Sequence, residues 1–301
     1  MKTTKNWKQR SNPMIYRLHH ATIYDYAEAV VLGTHFMHLL PRDRPGQFIR
    51  EAQLDISPNP ESRRNEVDHF GNFTTTVSLT QPHKQFAVAL SATVDVLHPT
   101  PPEPDSTPRW EAIALQSIVD PTVAEFCLPS PLARPSSDIA DYTAVSFPPG
   151  RRILTGLLEL NQRIWNDLTY RSGVSNNSTT ATHTLRTRAG VCQDYAQLMI
   201  ACLRSLGLPG RYISGYLRTS PPPGQVKRRG ADQSHAWAAS WLGPEIGWVD
   251  FDPTNNLLVS DEHVTLAWGR DFQDVSPLRG IILGGGRHAL RVNVDLDVVL
   301  T

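Results

Sequence analysis

A chain of 301 residues is long enough for about two domains, each burying its own core. Its 29 basic residues balance its 29 acidic ones. Without clustered Lys and Arg to neutralise phosphates, a nucleic acid is not an expected partner. With 40% hydrophobic and 19% charged residues, the composition is that of an ordinary globular protein rather than a disordered one.

No stretch approaches the roughly 18–20 consecutive apolar residues that a membrane helix requires. The basic amino terminus, Met1 to Arg10, has no apolar segment behind it of the kind that marks a secretory signal. A cytoplasmic location without membrane contact is therefore expected. The three cysteines, Cys127, Cys192 and Cys202, include no Cys-x-x-Cys pair, which argues against both a disulfide framework and a zinc knuckle.

Taken in order, residues 1–13 are polar and patternless and read as a disordered arm. From 14 to 98, short β-rich runs (21–26, 29–32, 48–56, 72–79 and 86–96) alternate with turn residues, the pattern of an antiparallel β-sandwich. Pro99, Pro101, Pro102, Pro104 and Pro108 mark 99–108 as a linker. The remainder, 109–301, mixes helices and strands, so the whole is of the α+β class. Short helices are expected at 121–126 and 136–142, and a longer one over 150–166 with Ile153, Leu157, Leu160 and Ile164 on its apolar face. Residues 171–180 read as an exposed loop, followed by a short helix at 183–188.

Val191, Tyr195, Leu198, Met199, Cys202, Leu203 and Leu206 then recur at three- and four-residue steps, and Gly207 with Pro209 ends the helix they define. Cys192 falls in its first turn. Free backbone N–H groups and the positive end of the helix dipole favour a thiolate there. Cys202 lies about 80° further round the same helix at 100° per residue, so it is expected in the core, and Cys127 is read as structural.

Beyond Pro209 the pattern turns to strands: 211–217, then 235–242 and 248–252 as a hairpin, and a tail at 288–300 expected to close the same sheet. The Pro- and basic-rich stretch 221–233 reads as a solvated loop. A hairpin turning at residues 243 and 244 sets His235 directly across from Asp252, with cross-strand side chains roughly 5 Å apart. Asp250 shares the face of Asp252 and is its rival, and a different turn would shift the pairing by a residue or two. Trp237, Trp241 and Trp248 either wall a groove or pack in the core. Arg270, Asp271 and Asp274 read as a structural ion network.

Four separated stretches carry a family resemblance. They are Gly190-Val191-Cys192-Gln193-Asp194, Leu206-Gly207-Leu208-Pro209-Gly210-Arg211-Tyr212, Ser234-His235-Ala236-Trp237 and Gly247-Trp248-Val249-Asp250-Phe251-Asp252-Pro253-Thr254. Together they resemble the core of the bacterial transglutaminase-like proteins, whose arrangement is papain-like. Tyr16 to Tyr26, Leu40-Pro41-Arg42 and Asp68 to Asn72 resemble the β-rich region that precedes this core, and Gly269 to Pro277 its carboxy-terminal signature. The resemblance implies a catalytic core over 109–301 with Cys192, His235 and Asp252 as nucleophile, base and orienting carboxylate. It also implies thioester acyl transfer on a peptide or protein amide, by hydrolysis or by transfer to an amine. A non-catalytic binding module on the same fold is the contrasting reading. No ligand cluster calls for a cofactor or calcium, and a zinc ion on Cys192, His235 and Asp252 would lack a fourth ligand and quench the nucleophile. The oligomeric state is not legible.

Overall fold

The computed structural model describes residues 13–219 and 232–299. The arm expected over 1–13 lies outside the described residues except for Pro13, and so does the greater part of the 221–233 loop.

The first strand, β1 (Met14–Met37), organises the amino-terminal half. Tyr16, Leu18, His20 and Thr22 point inward, whereas further on Gly33, His35 and Met37 do so. Tyr26 and Val30 keep the even face, so the buried parity changes from even to odd at the irregularity between Val30 and Leu32. A bulge of this kind turns a strand's face over while keeping its pairing. The strands β2 (Gln47–Ser57), β3 (Ser62–Val67), β4 (Phe73–Leu79) and β5 (His83–Val96) complete one antiparallel sheet in the order β2-β5-β1-β4-β3. β3 escapes sequence reading because all six of its residues are exposed, so it carries no apolar alternation.

Helices follow as α1 (Trp110–Ser117), α2 (Pro121–Ala124), α3 (Ser137–Ala144) and α4 (Ile153–Asp167). Two-residue strands β6 (Thr169–Tyr170) and β7 (Ala189–Gly190) pair in parallel, flanking α5 (Ala181–Thr187). Next comes α6 (Cys192–Ser205), in which every residue from Asp194 to Arg204 is buried. A helix closed off on all sides belongs to the middle of a core. It packs on β8 (Gly210–Leu217) and β9 (Gln233–Trp241) and against α3, α4 and α5. At its far end the Arg204 guanidinium donates to the carbonyls of Phe126, Ala133, Gly210 and Arg270 and to the Ser130 hydroxyl, which fixes the surrounding loops.

The core sheet is completed by β10 (Trp248–Asp252), β11 (Leu257–Leu258) and β12 (His263–Gly269), in the order β11-β10-β9-β8-β12. The tail departs from expectation. Strands β13 (Leu278–Gly284) and β14 (His288–Val298) pair with β1, Tyr16 opposite Val298 and Met37 opposite Leu278. They close the amino-terminal sheet rather than the core's, because β1 is long enough to offer a free edge beside each half. The division at 99–108 therefore leaves the last strands on the wrong side. Among the described residues no helix is long and apolar enough to cross a membrane.

The two halves meet through polar contacts. Arg44 donates to Asp250 at 2.6 Å, Gln47 bonds both backbone groups of Thr265 at 2.8 Å, and Asn72 does the same to Trp268. The Arg42 guanidinium lies 3.3 Å over the Trp268 ring.

Candidate active site

Cys192 is the first residue of α6, with Val191 as its N-cap. The turn is held by Asp194, whose carboxylate accepts from the Val191 N–H at 2.7 Å and from the Ser175 hydroxyl at 2.5 Å. Burial raises the Asp194 pKa, against the pull of those two donors. Position 190 must be glycine, since a Cβ there would stand 2.5 Å from the Asp194 carboxylate. The β6–β7 pairing sets Tyr170 beside Gly190. Its hydroxyl pKa is raised by burial first, then by the charges of Cys192 and Asp194. Tyr170 is thus a neighbour of the sulfur that motif reading did not single out. Cys127 and Cys202 are different: burial pushes their thiols up to about 11 and about 12.

His235 and Asp252 meet, but not by the expected pairing. The β9–β10 register places Trp241 opposite Trp248 and Ala238 opposite Phe251. Continuing it sets Asp252 across from Trp237, two residues from the expected partner. The cause is the turn: Leu242 N–H donates to the Gly247 carbonyl at 2.8 Å, so the loop spans 243–246 and its centre lies one residue later than assumed. A slip of two preserves the face. The diagonal contact remains within reach, with His235 Nε2 2.9 Å from Asp252 Oδ2.

That contact occupies Nε2 and leaves Nδ1 clear of Asp252, and the Cys192 side chain is near enough to act on the His235 ring. Burial disfavours an imidazolium here, but the Asp252 charge and hydrogen bond, with Cys192 adding to them, outweigh it and raise His235 to about 10. Asp252 is fully buried. Burial would raise its pKa, yet the two histidines facing it hold it well below the usual carboxylate range.

The second of those histidines is His263, at the start of β12, with Nε2 3.3 Å from Asp252 Oδ2. On the intervening β8, residue 215 must be glycine, since a Cβ there would lie 2.2 Å from the Val264 carbonyl and 2.4 Å from the Trp237 ring. Asn255 Nδ2 adds a bond of 2.7 Å to Oδ2, while the N–H groups of Thr254 and Asn255 donate to Oδ1. The linear pattern gives no sign of His263, which is separated from β10 by two strands. By ligand type His235, Asp252 and His263 form a possible metal cluster, their atoms within 4.8 Å of one another. However, His263 Nδ1 accepts from the Ser260 N–H at 3.4 Å, so its neutral ring carries the proton on Nε2 and presents a donor, not a ligand lone pair.

Asp250, the rival carboxylate, faces the same side but is taken up by Arg44 at 2.6 and 3.2 Å and by Trp237 Nε1 at 3.0 Å. Trp237 is fully buried, and Trp248 covers the Arg211 guanidinium at 3.6 Å; both serve packing. Arg270 bonds Asp274 at 2.9 Å, and Asp271 caps the Gln273 and Leu132 N–H groups, as the structural reading expects.

A buried helix that presents a cysteine to a histidine on an antiparallel sheet is the papain-like layout of a cysteine-dependent enzyme with a transglutaminase-like core. Residues 16–95 match the bacterial transglutaminase-like N-terminal region and residues 150–253 the transglutaminase-like superfamily. An uncharacterised protein of Mycobacterium tuberculosis is 38% identical over 290 residues, covering 94% of this chain and 92% of that protein. The chain belongs to the bacterial transglutaminase-like family. A solved structure described as a candidate cysteine protease from Cytophaga hutchinsonii has the same fold, with a TM-score of 0.76 at 23% identity, over 97% of this chain and 92% of that one. A protein-glutamine gamma-glutamyltransferase of Pseudomonas aeruginosa is 39% identical over 69 residues, 23% of this chain and 10% of that protein.

Proposed function

We propose that this protein is a thioester-forming acyl-transfer enzyme that acts on a peptide or protein amide, with Cys192, His235 and Asp252 as its triad. The reading rests on one observation: the Asp252 carboxylate holds a buried imidazole at 2.9 Å, and the thiol at the start of α6 acts on that same ring. Cys192 attacks the amide carbon as a thiolate, and the C–N bond breaks as His235 delivers its proton to the departing amine. Asp252 keeps the ring in one tautomer and stabilises its positive charge. The oxyanion is met by backbone N–H groups at the helix start, that of Cys192 included, where a missing donor costs about 3 kcal/mol. Water then resolves the thioester, and His235 activates it.

Hydrolysis is the first reading, as a peptidase or amidase. Transfer to an amine is the second, favoured by the short match to the Pseudomonas glutamyltransferase. The chemistry to the thioester is common to both, and the nucleophile admitted afterwards decides between them. The three unpaired thiols suit a reducing compartment, and we place the enzyme in the cytoplasm on that ground. Incubation with a peptide library, and separately with a glutamine-containing protein and a labelled amine, tests the reading. Cleavage is expected; label incorporation without cleavage would replace hydrolysis by transamidation, and neither product would leave a binding module.

A further inference from the structure

Asp252 receives more donors than are needed to orient one imidazole. Thr254 and Asn255 belong to the turn that follows Asp252, so their bonds move with the carboxylate. His235 is the group to be positioned. Among the described residues, the partner that ties the carboxylate to the far edge of the sheet is His263.

His263 is itself fixed. Its side chain is 0% exposed, its Nδ1 is engaged by the Ser260 N–H, and its ring stands edge-on to Trp237 with centroids 5.2 Å apart. Trp237 is in turn pinned through Nε1 to Asp250. Turning the ring or exchanging its tautomer would leave two buried polar groups without partners, a cost that native interiors avoid.

We propose that His263 is a positioning residue of the acyl-transfer site, a neutral Nε2–H donor that anchors Asp252 Oδ2 and thereby aims the carboxylate at His235. It keeps its proton throughout the reaction and touches no reacting atom. The proposal rests on the triad reading above. Fixing outer partners of an active-site histidine is a recurrent way of setting its orientation and basicity.

Two variants separate aiming from packing. His263→Phe keeps a ring against Trp237 but removes the donor, whereas His263→Gln carries a carboxamide N–H at about the place of Nε2. The rate of Cys192 alkylation by iodoacetamide is followed from pH 4 to 9, resolved from Cys127 and Cys202 by peptide mass, and no substrate is required. In the wild type Cys192 outpaces the other two at pH 6. In the Phe variant that rate falls about tenfold, as the acid limb moves up by about one pH unit; the Gln variant returns to within about threefold of wild type. An unchanged Phe profile, or equal losses in both variants, overturns the proposal. Imidazole ¹⁵N shifts of the wild type at pH 7 give a second decision that needs no variant to fold: the Nε2–H tautomer at His263 supports it, and Nδ1–H or a doubly protonated ring refutes it. Zinc that binds the wild type, blocks alkylation and is lost from both variants would make His263 a ligand instead. If wild-type Cys192 reacts no faster than its neighbours, the triad reading fails, while the ¹⁵N result still decides whether His263 donates to Asp252.

Discussion

The amino-terminal sheet and the core each bury histidines, and the groups that face the rings drive them in opposite directions. His20 donates or accepts at the Tyr216 and Thr22 hydroxyls, 2.5 and 2.9 Å away, and His35 stacks on Phe86 with centroids 3.9 Å apart. Among the described residues no carboxylate bonds either ring. Burial first, then a neighbouring histidine, lowers both to about 4. His235 is as enclosed, yet it is raised to about 10 because Asp252 outweighs the cost of burial. A carboxylate facing the ring is what separates His235 from these two.

That contrast can be broken outright. Cys192→Ala should abolish both cleavage and amine incorporation while the far-UV spectrum stays that of the wild type, and retained turnover would rule the thiol out as nucleophile. Asp252→Ala should convert His235 to the amino-terminal kind. We expect kcat/KM to fall about 10³- to 10⁴-fold, and the His235 titration to drop from about 10 to below its ordinary 6.5. Arg44→Ala acts on the neighbouring carboxylate, leaving Asp250 buried without its cation. A loss of about 3 kcal/mol in urea unfolding is expected, with the pH profile of Cys192 alkylation unmoved.

The pairing also opens a window in stability against pH. The His235 value is raised on folding, so its contribution is complete below about 6.5 and is lost as pH rises through about 10. The Asp252 value is lowered, so its contribution is present above 3.8 and fades as pH falls beneath that. Denaturant midpoints should therefore sag at both ends relative to Asp252→Ala, and parallel curves for the two proteins would contradict the pairing.

Much of this site was legible in the chain. Apolar spacing located α6 and put Cys192 in its first turn, and strand parity set His235 on the face shared by Asp250 and Asp252. The choice between those carboxylates was not legible from spacing. It depends on Arg44, 206 residues away from Asp250, which takes one and frees the other. His263 was equally hidden, because its contact spans two intervening strands rather than following a strand pair. In the fold, β3 lacked any apolar face, and the tail's alternation marked a strand but not its partner, so the expected closure of the core sheet gave way to pairing with β1.

The pairing of Tyr16 with Val298 also sets an order of events during synthesis. At about 5–20 residues per second, β1 leaves the ribosome tens of seconds before β13 and β14 exist. Throughout that interval β1 has an open flank capable of pairing with another chain, and α6 and the strands bearing His235 and Asp252 emerge only near its end, about 1–5 seconds ahead of β13. The first strand to be made is thus among the last to find all its neighbours.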